Sequence, residues 1–492
     1  MKRRLAIFFA LLTAVFLLTV AIRGRSIDLQ ARQTIQDTSP GGPYEGSNST
    51  SRFALTQAIV DNQSLFLSPH QAKFAAPDVA KYNDRYISLF TPGISLLGTP
   101  FYWLGKLFGL PQVFTYLSVT LTAVINLLLI FVLARRLGAS TSASLLSGLI
   151  FLAASNALAY STTFTQHHMT AALILASLVL ASAKTSLTNS FLFGLFTGLG
   201  ILVDLPNFLF QIPILIFFAR RYLSLHHFNR KILPFIPGIA IPICLLFWYN
   251  WQTTGSPFRL AQFIGRAREF VTSPSSTQTP SSSRKFSLPY DSRKQLNGLY
   301  ILLFSNERGW LYYFPVVTIG ILGLALALKT KSTNSIALIS ITVILLILVS
   351  YSMFGDPWGG WSFGPRYLIP AFAVISVFTG FAVQVFGRNL VFMLLFFTLT
   401  LRSVYLSSLG SLTTNSIPPK QEAEHLSSPI PYTYKYNLQL VKKNISSSLV
   451  YNLLLSDFVN VKQLVNILTV LSFLAIAGLY FQSIHVQKIK RH

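Results

Sequence analysis

Residues 335–386 read SIALISITVILLILVSYSMFGDPWGGWSFGPRYLIPAFAVISVFTGFAVQVF. Two long apolar runs flank WGGWSFGPRYLIP, Trp358 to Pro370, a short insert with two tryptophans, three glycines and an arginine. Runs of this kind match a bilayer's hydrocarbon core, about 30 Å thick, which about 20 residues cross as a helix. Lipid offers the backbone no water to bond, so a series of such runs means helices, not strands.

Working outward, similar runs fall at approximately 5–22, 113–134, 141–159, 168–184, 188–203, 207–220, 232–250, 311–328, 333–353, 367–386, 389–408 and 463–482. The chain of 492 residues is 52% hydrophobic and 11% charged, against about 25% charged in soluble proteins. The expected fold is therefore an all-α polytopic membrane protein, a bundle of about twelve transmembrane helices. Its 39 Lys+Arg against 14 Asp+Glu give +25. This charge is spread between the spans rather than gathered in a basic domain, so the expected partners are membrane lipids and not nucleic acid. With the N-terminus in the cytoplasm, Arg135-Arg136, Lys184, Arg220 to Lys231, Lys329 to Lys331, Arg388 and the tail QKIKRH all share that side, as the positive-inside rule requires. MKRR and Leu5 to Ile22 then read as an uncleaved first span. The expected location is the inner membrane of a prokaryote, with both termini cytoplasmic. The lone Cys244 excludes an intramolecular disulfide and a cysteine metal cluster.

The expected organisation is a first span (1–22), a large outer loop (23–112), spans two to seven (113–250) and a second outer loop (251–310) with the Ser/Pro-rich TSPSSTQTPSSSRKFS. Spans eight to eleven (311–408) enclose the tryptophan–glycine insert. A polar outer loop (409–462) and a last span with a basic tail (463–492) follow. In the first outer loop, TSRFALTQAIVDNQSLFL reads as an amphipathic helix on the membrane face. ISLFTPGISLLGTPFYWLGKLFG, broken by Pro92-Gly93 and Pro100, reads as an interfacial helix. Trp358, Trp361 and Tyr367 suit an aromatic belt, which does not account for Gly359, Gly360 and Gly364, residues that let backbone bend or approach a ligand. Arg366 stands at an outer span end, where lysine and arginine are disfavoured, and a guanidinium there can grip a phosphate. Arg308, in SNERGWLYYFP, has the same context. Asp204 interrupts an apolar stretch, and if buried it points to a role. Phosphate loops of the Walker kind, H-E-x-x-H and G-x-S-x-G are absent, and no acidic pair has metal-ligand spacing. No cofactor or divalent metal is expected.

The segments SRFALTQAI, YISLFTPGISLLGTPFYWLG, FTQHHMTAALILA, FWYNWQTTGSPF, FSNERGWLYYFPV and WGGWSFGPRYLIP, in that order, resemble the GT-C superfamily of polyprenyl-phosphate-sugar-dependent glycosyltransferases. The protein mannosyltransferase and aminoarabinose transferase types belong to it, and a bacterial and archaeal branch is closer still. The resemblance implies a GT-C bundle with interfacial helices in its first outer loop and transfer of a sugar from a polyprenyl-phosphate donor to an acceptor, with inversion. A carboxylate just upstream of the arginine that starts the interfacial helix would act as base. Here that arginine is Arg52, and the nearest acid is Glu45, several residues further upstream than usual. Either a longer turn brings Glu45 into place, or the base is elsewhere, or activity is lost; Asp78 is the second candidate, and Asp28, Asp37, Asp61 and Asp84 are the loop's other acids. Phe90 stands where the family often has lysine, leaving Lys81 or Arg85 to replace it. By the same resemblance His167 would orient a sugar hydroxyl. Arg366, with Arg308, would hold the donor phosphate, and Trp358 and Trp361 would stack on sugar or prenyl groups. A transporter of lipid-linked sugars and a non-catalytic protein of this fold are the alternatives.

Overall fold

The computed structural model describes residues 2–24, 39–224, 227–228, 230–270 and 292–490. All twelve stretches read as spans are helical over most of their length. Among the described residues, six helices are long and apolar enough to cross alone: Arg4–Ala21, Pro111–Arg136, Arg230–Thr254, Asn334–Ser352, Leu390–Leu412 and Val461–His485. Arg366–Ser376 and Thr379–Phe386 form a seventh, bent by 48°. Thr141–Ala153, His167–Ser182, Leu187–Val203 and Pro315–Lys329 are shorter apolar helices, and Asn207–Tyr222 carries Pro213 within it. The chain is an integral, multi-pass membrane protein.

Below, α1 is Lys2–Ala21, α2 Ser47–Asp61, α3 Gly93–Leu107, α4 Pro111–Arg136, α5 Thr141–Ala153, α6 His167–Ser182, α7 Leu187–Val203, α8 Asn207–Tyr222, α9 Phe235–Thr254, α10 Asn334–Ser352, α11 Leu390–Leu412 and α12 Val461–Lys490. Strands β1 (Val79–Tyr82) and β2 (Arg85–Ser88) form a hairpin, with Val79 opposite Ser88. Helices alternate in direction, so two ends of the bundle are distinct. Basic residues gather at one of them: Arg136 bonds Val179 O and Ser182 Oγ, Arg221 bonds Ala183 O and Arg388 bonds Ile484 O. The opposite, loop end carries α2, the hairpin and α3.

Burial distinguishes the two loop helices. α2 is covered nearly all round, with Ser49 to Thr56 and Ala58 buried, and it packs on α3 and the hairpin. The amphipathic surface helix expected here is therefore an interior one, because α3, the short helix Pro69–Ala75 and the hairpin cover it. Leu65 and Phe66 lie beyond its end. α3 does keep a lipid-type face: Trp103, Leu107 and Phe108 are exposed, while Tyr102 beneath them donates to Asp61 at 2.6 Å.

Close helix packing depends on glycine where backbones touch. On α7, a Cβ at Gly194 would lie 2.3 Å from Phe235 O, and on α9 one at Gly238 would lie 2.3 Å from Phe191 O. Two buried charges tie the loop end to the bundle. Glu45 accepts from Arg23 Nη1 at 2.5 Å, Asn415 N at 2.7 Å, Thr414 Oγ1 at 2.5 Å and the amide of Gly41. Arg308 donates to the carbonyls of Glu307, Trp358, Gly360 and Ile417 at 2.8–3.2 Å.

Removing one member of a buried ion pair strands the other and costs about 3–5 kcal/mol. Glu45→Ala therefore lowers the thermal midpoint of the purified protein markedly, and the paired Arg23→Met/Glu45→Leu variant recovers much of the loss. An unchanged midpoint in Glu45→Ala would show that the pair holds nothing.

Candidate active site

Three stretches far apart in the chain bring nitrogen donors to one place at the loop end. Arg52 lies on the second turn of α2 and is 1% exposed. Its Nη1 donates to Asn48 O at 3.0 Å and to Asn48 Oδ1, its guanidinium lies 3.9 Å from the centre of the Phe90 ring, and its Nε has no hydrogen-bond partner. His167, the first residue of α6, is 2% exposed. Its ring sits edge-on to Tyr160 and Tyr367, and its Nε2 is also unpartnered. Arg366 closes the glycine insert, half-buried, its guanidinium over Tyr367 and its Nε unpartnered. Tyr367 in turn stacks on Tyr351 with centroids 4.3 Å apart.

These charges feel one another. Arg52 interacts with Asp204, Asp78 and Arg366, and His167 with both arginines. Burial pulls the Arg52 guanidinium down to about 10, against the attraction of Asp204 and Asp78. Asp204 caps the end of α7 in the turn to α8, accepting from Gln166 Nε2 at 3.3 Å. Burial raises its carboxyl to about 6, an effect that Arg52 opposes. Two guanidiniums and an imidazole, each with one nitrogen that has no hydrogen-bond partner, make a cluster able to hold an oxyanion.

The glycine insert shapes this cluster. Gly359 has φ +72 and a Cβ there would lie 3.0 Å from Arg366 Nε, so the left-handed backbone and the arginine's position exclude a side chain together. Asp356, just before the insert, lies near Arg366 and has an unpartnered Oδ1. The sequence reading missed Asp356 and Tyr351; the GDP turn before the tryptophans was the available signal for the first, and none marks the second.

Asp78, at the head of the hairpin, interacts with Arg52. It accepts from Ser47 Oγ at 2.6 Å, at the start of α2, and from Arg266 Nη2 at 2.9 Å. The carboxylate is 7% exposed but the arginine is 52% exposed, so solvent weakens that pair. Ser51 Oγ donates to Asp78 O at 2.6 Å, fixing the backbone beside α2.

Other expected site residues have different placements. Both oxygens of Glu45 are taken by four donors, which leaves the carboxylate no lone pair suited to accept a proton from a substrate; it serves as a structural counter-charge. Arg308, 0% exposed, spends its nitrogens on backbone carbonyls and is the clasp of the glycine insert rather than a free phosphate grip. Trp358 contributes its carbonyl to that clasp. Trp361 is at the surface and donates through Nε1 to Glu422 at 2.6 Å. Lys81 pairs with Glu269 at 3.1 Å and Arg85 lies over Phe66, neither at the cluster. Asp84 is 99% exposed. Asp28, Asp37 and the Ser/Pro-rich stretch fall outside the described residues. Among the described residues, no three of His, Cys, Asp and Glu converge on one point.

Neither a protein-family model nor a curated protein matches the chain by sequence. Solved structures do match by shape. ArnT from Cupriavidus metallidurans bound to undecaprenyl phosphate aligns with TM-score 0.51 and 15% identity, over 97% of this chain and 77% of that one. The apo oligosaccharyltransferase of Archaeoglobus fulgidus aligns with TM-score 0.51 and 15% identity, over 85% of this chain and 57% of that chain. The same enzyme tethered to an acceptor peptide containing the NVT sequon aligns with TM-score 0.51 at 14% identity. The chain thus spans a little over half the length of the oligosaccharyltransferase. With twelve helical stretches in this order, the chain has the GT-C fold of these solved structures.

Proposed function

We propose that the protein is a membrane glycosyltransferase that takes a sugar from a polyprenyl-phosphate donor at the loop end of the bundle. The observation that carries this reading is the convergence of Arg52, His167 and Arg366, each with a nitrogen that has no partner. Buried like charges repel strongly in a medium of low dielectric, and a donor phosphate relieves that repulsion. The fold of an enzyme solved with undecaprenyl phosphate supports the donor class.

In this reading the phosphate lies between Arg52 and Arg366, and the sugar extends toward His167 and Asp78. The acceptor hydroxyl attacks the anomeric carbon from the face opposite the phosphate. A new carbon–oxygen bond forms there as the bond to the phosphate oxygen breaks, which inverts the centre. Asp78 takes the hydroxyl proton as general base, and the two arginines offset the charge gathering on the departing polyprenyl phosphate. Asp78 is favoured over Glu45 because it accepts from two donors, Ser47 and a half-exposed arginine, where Glu45 accepts from four. Asp204 tunes Arg52 from the other side. The loop end faces away from the cytoplasm, the basic end faces it, and the membrane is the inner membrane of a prokaryote. The acceptor is a glycan, lipid or protein hydroxyl.

Three outcomes test this. Asp78→Asn lowers turnover by about 10²–10⁴-fold while donor affinity stays within a few-fold, measured with radiolabelled polyprenyl-phosphate sugars in lipid discs; full activity would move the base elsewhere. Arg366→Ala weakens donor binding roughly tenfold to a hundredfold, the loss of one charged hydrogen-bonding partner, and wild-type affinity in that variant would remove Arg366 from the site. The donor phosphodiester keeps one negative charge across pH 5–8, so pH acts through the protein. With its carboxyl raised to about 6, Asp204 is ionised above that pH and competes with the donor for Arg52; below it, the neutral acid does not. Donor affinity therefore tightens as pH falls through 6 in the wild type and is flat in Asp204→Asn. A wild-type profile with no inflection near 6 would contradict the role given to Asp204.

A further inference from the structure

Asp356 lies beside the arginine assigned to the donor phosphate, and the reaction as written does not use it. Asp356, Pro357, Trp358 and Gly359 form a turn closed by Gly359 N donating to Asp356 O at 3.1 Å, with residues that β-turns favour at the first, second and fourth places. Gly359 and Gly360 have φ +72 and +60. A Cβ at Gly359 would lie 3.0 Å from Arg366 Nε, and one at Gly360 would lie 3.6 Å from Asp356 Oδ2. The two side chains therefore rest on adjacent glycines, whose Cα atoms are about 3.8 Å apart. Arg308 holds the carbonyls of Trp358 and Gly360 from beneath, at 3.0 and 3.2 Å. Carboxylate and guanidinium are thus mounted side by side on one fixed turn.

Neither is satisfied there. Arg366 Nε and Asp356 Oδ1 are buried atoms without a hydrogen-bond partner. The two charges attract, yet neither of these atoms bonds the other. A ligand that carries an oxyanion next to a hydrogen-bond donor satisfies both at once. An ionised carboxylate only accepts, so the group that faces Asp356 must bring a proton. Approach is from the rim of the bundle and needs no enclosed cavity: Asp356 is half-buried, Gly355 is exposed, and Met353 and Phe354 are 38% and 52% exposed.

We propose that Asp356 accepts a hydrogen bond from the hydroxyl on carbon 2 of the donor sugar, which makes the donor a sugar with a free hydroxyl at that carbon. This rests on the reading of Arg366 as part of the phosphate site. In a glycosyl phosphate the phosphate is on the anomeric carbon. Of that carbon's two ring neighbours, the oxygen carries no proton and carbon 2 carries the hydroxyl. With the phosphate on Arg366, this hydroxyl is the sugar's nearest donor to the turn, and the rest of the ring extends toward His167 and Asp78. A bond to it strengthens as positive charge develops on the sugar in the transition state. Asp356 therefore acts on turnover as well as on the choice of sugar.

The test uses the full-length protein in lipid discs with polyprenyl-phosphate mannose, galactose and arabinose, each beside its 2-deoxy counterpart. It reads kcat/KM for sugar transferred or released, with the sugar that the wild type handles best. Asp356→Ala lowers the preference for the hydroxylated donor over its 2-deoxy counterpart about tenfold to a hundredfold, the loss of one hydrogen bond to a charged group. The fall comes from the hydroxylated donor, and the 2-deoxy donor changes little. Taking the ratio cancels the different intrinsic reactivity of the two sugars. Asp356→Asn, which keeps an acceptor oxygen without the charge, falls between and stands in for the alanine variant should that protein fail to fold. Equal losses on both donors would make Asp356 a mere support of Arg366 and overturn the proposal, as would an unchanged ratio. A wild type that turns over none of the donors would instead overturn the proposed function, and this inference with it.

Discussion

The loop end depends on one short segment, Thr413 to Ile417, gripped from two sides by opposite charges. Glu45 holds Thr414 and Asn415, and Arg308 holds the carbonyl of Ile417. Ser362 N also donates to Ile417 O at 2.9 Å, and Asn437 Nδ2 donates to Thr413 Oγ1 and Thr414 O at 2.8 Å. A chain leaving a helix in an apolar bundle has carbonyls and amides that no water reaches. Satisfying them with one carboxylate and one guanidinium fixes where the first loop, the glycine insert and the end of α11 meet. Arg366 owes its position to this arrangement, because Arg308 clasps the insert at Trp358 and Gly360.

A division of labour among the buried charges follows. Glu45 and Arg308 are saturated by hydrogen bonds and hold structure. Arg52, Arg366 and His167 each keep a nitrogen without a hydrogen-bond partner. Saturation, not residue type or burial, separates the two groups, since Arg52 and Arg308 are buried alike. The aromatic residues act between these roles: Tyr367 carries Arg366, rests on Tyr351 and meets His167, so a ring separates the guanidinium from the imidazole.

Much of this was legible from the chain alone, for physical reasons that can be named. The helices were readable because lipid allows few other structures, and Arg366 because lysine and arginine are disfavoured at its span end. Arg52 and His167 stood out through a family resemblance, and both lie near Arg366 at the loop end. The hydrogen-bond partners of Glu45 and Arg308 were hidden because they are remote in sequence: Asn415 lies 370 residues from Glu45, and Ile417 lies 109 from Arg308. Nothing local distinguishes a guanidinium that will be capped by carbonyls from one left open. The interior placement of α2 was hidden likewise, since its cover comes from β1, β2 and α3.

The short helices set a depth. α5 has 13 residues and α6 has 16, which at 1.5 Å per residue reach about 20 and 24 Å, less than a hydrocarbon core of about 30 Å. Contacts of Arg136 and Arg221 with Val179 to Ala183 hold their far ends level with the longer helices, so the shortfall appears entirely at the loop end. His167 therefore starts its helix well beneath the rim formed by α1 and α4. On the proposed function, a donor phosphate reaching it leaves the plane of its neighbouring headgroups and sinks into the protein, and the chain attached to it bends to follow.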